Sequence, residues 1–296
     1  YNKRGLISGK KLPGIDWSYL VYDQLNRAVL NQDPNQAVSG TWTYQKFDVS
    51  GRPIITGLVS LAGKTPSQLQ DERWLSMAIC SESRSESDNG YTNLAYPTTS
   101  LEEFTLKYYD DYDFNRDGNA DFSPGNSEAA RTRNKPTGNY AKVLGSVTAL
   151  FEKNVLFYDY KGRVVETKGN NHEGKEETEL FTYDFAGAVL ERSRIHHFTY
   201  YPAGGGLGYS GDLIRKVRNE YDHAARLKNT WIQVDEQPEI WTCSNTYNEL
   251  GQLLTLRLHN WLSGNGTIPV QKAAQTLNYR YNVRGWLTAI NDVEDV

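Results

Sequence analysis

Tyr158-Asp159-Tyr160-Lys161-Gly162-Arg163 carries the architecture of this chain: an aromatic residue, an Asp, two variable positions, a Gly and an Arg, followed by the apolar Val164. The phrase recurs with fixed internal spacing at Tyr22-Asp23, Phe47-Asp48, Tyr183-Asp184, Tyr221-Asp222, Tyr247-Asn248 and Tyr281-Asn282. Three residues after each Asp or Asn stand Asn26, Gly51, Gly162, Gly187, Ala225, Gly251 and Gly285. Successive copies are separated by 25, 111, 25, 38, 26 and 34 residues, so a hairpin-sized unit repeats and one long gap holds an insertion.

The phrase has the physics of a β-hairpin turn. An Asp or Asn at its start accepts hydrogen bonds from backbone N–H groups two residues on, and a Gly three residues later supplies the left-handed conformation that re-enters the second strand. Asn26 suits that position because Asn tolerates left-handed backbone, whereas Ala225 predicts local strain or a different turn. The aromatic residue ends the incoming strand. The residue two beyond the Gly position (Ala28, Pro53, Val164, Val189, Leu227, Leu253, Leu287) opens the outgoing strand, and the two are expected on one sheet face.

Working outward, Leu253-Leu254-Thr255-Leu256-Arg257-Leu258 places Leu at alternate positions after the turn at Asn248, as a strand with one covered face does. A lone hairpin is marginal in water, so successive hairpins must pair side by side. The expected fold is all-β: consecutive antiparallel hairpins forming a long curling sheet, with a mixed helix and loop insertion. The expected divisions are a first hairpin block at 1–60, the insertion at 61–150 and a second hairpin block at 151–296.

Phe47-Asp48-Val49-Ser50-Gly51-Arg52 and Tyr158-Asp159-Tyr160-Lys161-Gly162-Arg163 resemble the Rhs/YD repeat, over roughly 1–60 and 150–296. Tyr109-Asp110-Asp111-Tyr112-Asp113-Phe114, Tyr183-Asp184-Phe185-Ala186-Gly187, Asn248-Glu249-Leu250-Gly251-Gln252-Leu253 and Tyr281-Asn282-Val283-Arg284-Gly285-Trp286-Leu287 are similar to the version found in large secreted and surface proteins of Bacteroidota-type bacteria. The resemblance implies a β-ribbon that spirals into a hollow shell around a C-terminal toxin or effector exported with it. Family members that cleave themselves carry an Asp-Pro-x-Gly type motif in a C-terminal core. The Asp-Pro here is Asp33-Pro34-Asn35-Gln36, so self-cleavage is not expected. A piece of shell is expected, whose partners are the rest of the same polypeptide (C-terminal cargo and further repeats), with secretion machinery of the type IX kind or surface glycans as further candidates.

Within the insertion, Thr65-Pro66 followed by Leu69, Trp74, Leu75 and Ile79 predicts a helix with Thr as N-cap and Pro in the first turn, packed across the sheet or at its mouth. The polar run from Ser81 to Asn93 predicts a solvated loop. Asp113-Phe114-Asn115-Arg116-Asp117-Gly118-Asn119-Ala120-Asp121 alternates oxygen side chains ahead of a Gly, as the first nine positions of an EF-hand-type or FG-GAP-type calcium loop do. Asp113, Asn115, Asp117, Asn119 and Asp121 are therefore candidate ligands of a structural calcium ion. The twelfth position is Pro124 where an EF-hand has Glu, so the geometry would follow the shorter style. The alternative is an Asp/Asn/Gly turn that solvates itself.

The sum of 32 basic and 36 acidic residues is a net charge of −4, which gives no overall pull toward nucleic acid or anionic membrane. No stretch approaches the ~20 apolar residues of a membrane helix. The 20 Tyr, 25 Gly and 7 Trp among 296 residues favour strands and turns. Cys80 and Cys243, 163 positions apart, fit neither a metal pair nor a dense disulfide framework; both thiols and one long-range bridge stay open.

No catalytic residue is nominated. Turn formation explains the recurring Asp better than acid–base work, because Asn248 and Asn282 keep the acceptor and lose the titratable proton. His172, His196, His197, His223 and His259 show no metal spacing, and adjacent strand residues such as His196 and His197 point to opposite faces. The Gly-rich stretch from Ala203 to Tyr209 lacks the Lys-Ser/Thr of a phosphate loop and reads as a long hairpin loop. Trp17, Trp42, Trp74, Trp231, Trp241, Trp261 and Trp286 read first as strand packing and second as sugar-stacking platforms. The expected role is a non-enzymatic shell segment of a secreted or cell-surface polymorphic toxin. A cell-surface adhesin or glycan-binding module is the alternative, and a passenger bound to an outer-membrane secretion machine the second alternative.

Overall fold

An Asp-led turn that reverses the chain every 25 residues or so leaves each strand beside its sequence neighbour, and the ladders follow that rule. The computed structural model describes residues 1–75, 79–125, 132–145, 150–171, 173–200, 208–263 and 270–291. Among the described residues there are seventeen strands and two short helices, so the all-β expectation holds. The chain divides into two compact units, residues 1–162 with 168–174, and 163–167 with 175–296; strand β9 (Val164–Asn170) contributes to each.

In the first unit the strands are β1 (Gly9–Lys10), β2 (Ser18–Tyr22), β3 (Ala28–Gln32), β4 (Thr41–Phe47), β5 (Pro53–Ser60), β6 (Leu101–Tyr109), β7 (Pro136–Lys142) and β8 (Phe151–Tyr158). Each pairs antiparallel with the next, through registers such as Trp42↔Val59, Ile55↔Leu106, Leu106↔Tyr140 and Tyr140↔Lys153. Alternation along β4 turns Trp42, Tyr44 and Lys46 inward. Trp42 and Tyr44 join Val21, Leu30, Ile55, Val59, Leu106, Val155 and Phe157 in one buried apolar cluster.

Helix α1 (Pro34–Ser39) goes beyond the sequence expectation, although its signals are in the sequence. Asp33 caps it by accepting from the Gln36 amide while the Gln36 side chain accepts from the Asp33 amide, and Gly40 closes it at φ 68°. The Asp33-Pro34 pair therefore starts a helix. Helix α2 (Pro66–Leu75) is the expected one, capped by Thr65, but it ends before Ile79. It buries Leu69 in the core, and Gln70 clamps the backbone of Tyr22 by donating to its carbonyl at 2.9 Å and accepting its N–H at 3.0 Å. So α2 packs on β2.

The expected single insertion at 61–150 is corrected. The ladder runs on through β6 and β7, and the excursions from it are separate: one holding α2 between β5 and β6, and one between β6 and β7. The expected divisions at 60 and 150 likewise do not coincide with the units.

The segment 81–93 also differs from the solvated loop expected of it. Glu82 is fully buried, and its carboxylate receives Lys46 Nζ at 2.7 Å, Thr92 Oγ1 at 2.6 Å and the amides of Leu94 and Ala95. An inward-facing Lys on β4 requires a buried anion, and Glu82 is that anion.

In the second unit β10 (Glu176–Tyr183), β11 (Val189–Tyr200), β12 (Tyr209–Tyr221), β13 (Leu227–Val234), β14 (Ile240–Tyr247), β15 (Leu253–Ser263), β16 (Val270–Tyr281) and β17 (Leu287–Ile290) form a consecutive antiparallel ladder. Among its described residues no apolar side chain is buried; the buried side chains are those of Glu166, Asn229, Ser244 and Asn260.

Candidate functional site

Seven turn positions take the left-handed backbone: Asn26 at φ 61°, Gly51 at 79°, Gly162 at 85°, Gly187 at 98°, Ala225 at 59°, Gly251 at 82° and Gly285 at 81°. In each turn the amide of that residue donates to the carbonyl of the leading residue, at 2.9–3.3 Å, for Asp23, Asp48, Asp159, Asp184, Asp222, Asn248 and Asn282. In three of the turns the leading carboxylate also accepts the backbone amide and side chain of the Arg four residues on: Arg27 Nε to Asp23 at 2.8 Å, Arg52 Nε to Asp48 at 2.6 Å and Arg226 Nε to Asp222 at 2.7 Å. At Asn248 the chemistry is exchanged in pairs, since Asn248 Nδ2 donates to Gln252 Oε1 at 2.7 Å. Ala225 makes the same turn as the glycines, so the strained alternative is the one realised.

The aromatic residue and the strand-opening residue stand directly opposite, as Tyr22↔Ala28, Phe47↔Pro53, Tyr183↔Val189, Tyr221↔Leu227, Tyr247↔Leu253 and Tyr281↔Leu287, each just past a register shift. The bulge accommodates the extra turn residue.

An eighth turn is split. Tyr109 pairs with Pro136, the Asp110 amide donates to the Lys135 carbonyl at 3.1 Å, and Asn134 supplies the left-handed residue at φ 62°. Twenty-three residues, 111–133, are inserted between the leading Asp and its closing residue. This is why the fixed spacing misses it.

A second layer of order links successive turns as far as Tyr247, and sequence reasoning does not find it. The cation that follows the left-handed residue lies over the aromatic ring of the following turn: Arg27 over Phe47 at 4.5 Å, Arg52 over Tyr109 at 4.3 Å, Lys135 over Tyr158 at 4.6 Å, Arg163 over Tyr183 at 4.6 Å and Arg226 over Tyr247 at 4.7 Å. The tyrosine hydroxyl donates back to the carbonyl that opens the earlier strand: Tyr109 to Pro53 at 3.1 Å, Tyr158 to Pro136, Tyr183 to Val164, Tyr221 to Val189 at 3.0 Å and Tyr247 to Leu227 at 2.7 Å. The frequent Arg after Gly is the visible signal. Arg52 also reaches Asp110 of the next turn at 2.7 Å, and that hydrogen bond holds the Asp110 carboxyl below its ordinary range. Asp222 is drawn down to about 2, first by the Arg226 side chain and then by the Arg226 amide.

The candidate calcium loop sits in the insertion of the split turn. Asp113 Oδ2 accepts from the Gly118 amide at 3.2 Å, Asn115 Oδ1 from Asp117 at 3.0 Å, Asp117 Oδ1 from Asn119 at 2.8 Å, and Asp121 Oδ2 from Phe114 at 2.6 Å. Hydrogen bonding by the Asn119 amide lowers the Asp117 carboxyl. Among the described residues no three His, Cys, Asp or Glu side chains group to hold a metal ion, so any set here would need the Asn oxygens too.

His196 pairs with Glu177 and its strand neighbour His197 with Asp212, on successive β11 positions. His172 and Ala203 to Leu207 of the Gly-rich stretch lie outside the described residues. Cys80 and Cys243 are half-buried thiols. Trp42 is buried, Trp231 and Trp241 stack at 5.8 Å beneath Arg218, and Trp17, Trp261 and Trp286 are exposed. No helix among the described residues is long and apolar enough to cross a membrane.

No known protein-family model matches the chain, and no curated protein matches it. Among solved structures it is similar to the crystal structure of TcdB2-TccC3-TEV, at 14% identity and a TM-score of 0.49, over 95% of this chain. It is also similar to that of TcdB2-TccC3-Cdc42, at 15% identity and a TM-score of 0.39, over 98% of this chain. The chain spans 12% and 15% of the length of those two chains.

Proposed function

We propose that the chain is a non-enzymatic segment of an Rhs/YD-repeat scaffold whose sheet encloses or supports another part of the same polypeptide, further repeats or a C-terminal toxin-like passenger, in a secreted or surface-displayed protein. One observation carries the reading. In the second unit Val217↔Ile232, Cys243↔Leu258 and Leu256↔Leu277 set an apolar row across β12 to β16, and all six side chains remain half-open to solvent. A row of this kind calls for a covering layer, because a single-layer sheet gains too little from burial to offset the ordering of its strands. Linked turns supply a wall of repeating hairpins, and the missing layer is the enclosed material.

A cryo-electron-microscopy map of the native protein with calcium present tests this. Density over the Val217–Leu277 row supports containment. A bare row, with glycan-array binding that a surface Trp→Ala change abolishes, would favour the adhesin.

Calcium at 113–121 belongs to the same proposal as a structural ion. Its support is Asp113 Oδ1, which is buried and has no hydrogen-bond partner in a loop where one oxygen each of Asp113, Asn115, Asp117 and Asp121 is ordered by a backbone amide. Terbium luminescence that calcium displaces, and that Asp113→Asn removes, is the expected result; no luminescence above the free-ion signal would discard the ion.

A further inference from the structure

The first unit holds a cleft of about 740 Å³ between its amino-terminal segment and α2, and the shell reading makes no use of it. Its walls carry four aromatic rings, from Tyr1, Trp17, Tyr19 and Trp74. Trp17 is 44% exposed and stacks on Tyr19, with ring centroids 6.3 Å apart and planes 17° from parallel. Two near-parallel rings thus stand together on this wall. Trp17 also lies against β1 where Gly9 has no side chain: a Cβ there would meet the indole at 3.4 Å. The indole therefore lies at van der Waals distance from the strand.

Beside the rings stand Asp71 and Lys3, joined across 3.4 Å with both side chains largely open, and the hydroxyl-bearing Ser8, Thr65 and Ser67. This mixture selects a ligand class. Leu20 and Pro66 are the aliphatic contributors, so a hydrocarbon tail would find little floor. The one acidic and one basic group oppose each other, so a strongly ionic ligand gains no net attraction. A ligand with a flat C–H face for the rings and hydroxyls for the carboxylate and Ser/Thr groups satisfies both parts of the wall. We propose that this cleft binds a neutral saccharide of two or three units, with Trp17 as the stacking platform and Asp71 as the hydroxyl acceptor.

The probes are cellobiose, N,N′-diacetylchitobiose and maltotriose, each titrated against the whole chain while tryptophan fluorescence is followed. The expected result is saturable binding of at least one of them with Kd at or below about 1 mM. Trp17→Ala is expected to weaken it at least ~10-fold at an unchanged melting temperature, as loss of a central aromatic anchor does. Asp71→Asn, a solvent-facing change that leaves packing alone, should weaken it as well, whereas Trp261→Ala, at an exposed indole of the other unit, should leave Kd as it was. Absence of binding by all three sugars overturns the proposal. So does equal weakening by Trp261→Ala, or a proline-rich peptide that saturates the same fluorescence change when no sugar does. The outcome is separable from containment, since a covered sheet row in the second unit neither requires nor forbids a sugar in the first.

Discussion

Arg226 closes one turn and lies 4.7 Å over the ring of Tyr247, which opens the next, while the Tyr247 hydroxyl donates at 2.7 Å to the carbonyl of Leu227, the residue after that Arg. Two adjacent residues of one turn thus hold a single side chain of its successor. The same guanidinium is held by Asp222, so little of its freedom remains to be lost.

A double-mutant cycle on Arg226→Ala and Tyr247→Ala should return a coupling of about 1 kcal/mol, the size of a partly exposed cation–π contact. Tyr247→Phe, which keeps the ring, should cost about 1 kcal/mol for the hydroxyl alone. Chemical denaturation of these variants measures both, and zero coupling would remove the link.

The left-handed positions can be separated from packing. Gly51 has open space where a Cβ would be, so Gly51→Ala should cost about 1 kcal/mol from backbone conformation alone, and Ala225→Gly should restore a similar amount. Gly162→Val, β-branched and close to Lys135 Nζ, should cost ~1–3 kcal/mol. A melting temperature unmoved by all three would refute the turn assignment.

Lys46 and Glu82 are both buried and hydrogen-bonded to each other and to the 92–95 segment. Lys46→Met leaves the Glu82 carboxylate without its cation and should destabilise the first unit by ~3–5 kcal/mol. Combining Lys46→Met with Glu82→Gln removes the uncompensated charge and should recover part of that loss. A Lys46→Met variant that melts like the parent would show the pair to be dispensable.

Burial pushes the hydroxyls of Tyr91 and Tyr112 up to about 12, and those of Tyr44, Tyr108 and Tyr140 higher still. A raised folded value means stability that is complete below the unfolded value near 10 and lost as pH climbs through the folded one. The first unit should therefore unfold between about pH 10 and 12. Tyrosinate absorbance at 295 nm rising together with loss of circular dichroism is the expected trace, and full ionisation at pH 10 in the folded protein would contradict it.

The turns are legible because Asp, Gly and the aromatic residue act within six positions. Tyr109 and Asn134 form the same turn across an excursion, and a fixed period cannot see a partner displaced by chain that folds elsewhere. The ladder strands within 61–150 are hidden for that reason. Glu82 escapes because a polar run reads as solvated unless the inward Lys46 on another strand is noticed. In the calcium loop the alternation of oxygens is visible, whereas the buried Asp113 oxygen depends on neighbours far along the chain. The role of Arg after Gly lies between repeats, and a single motif holds only half of such a contact.

The clasp between turns has a direction. In each of these clasps the cation and the carbonyl belong to the earlier hairpin and the ring to the later one. A polypeptide that emerges amino-end first can therefore dock each such ring on a clasp already waiting for it, one hairpin after another.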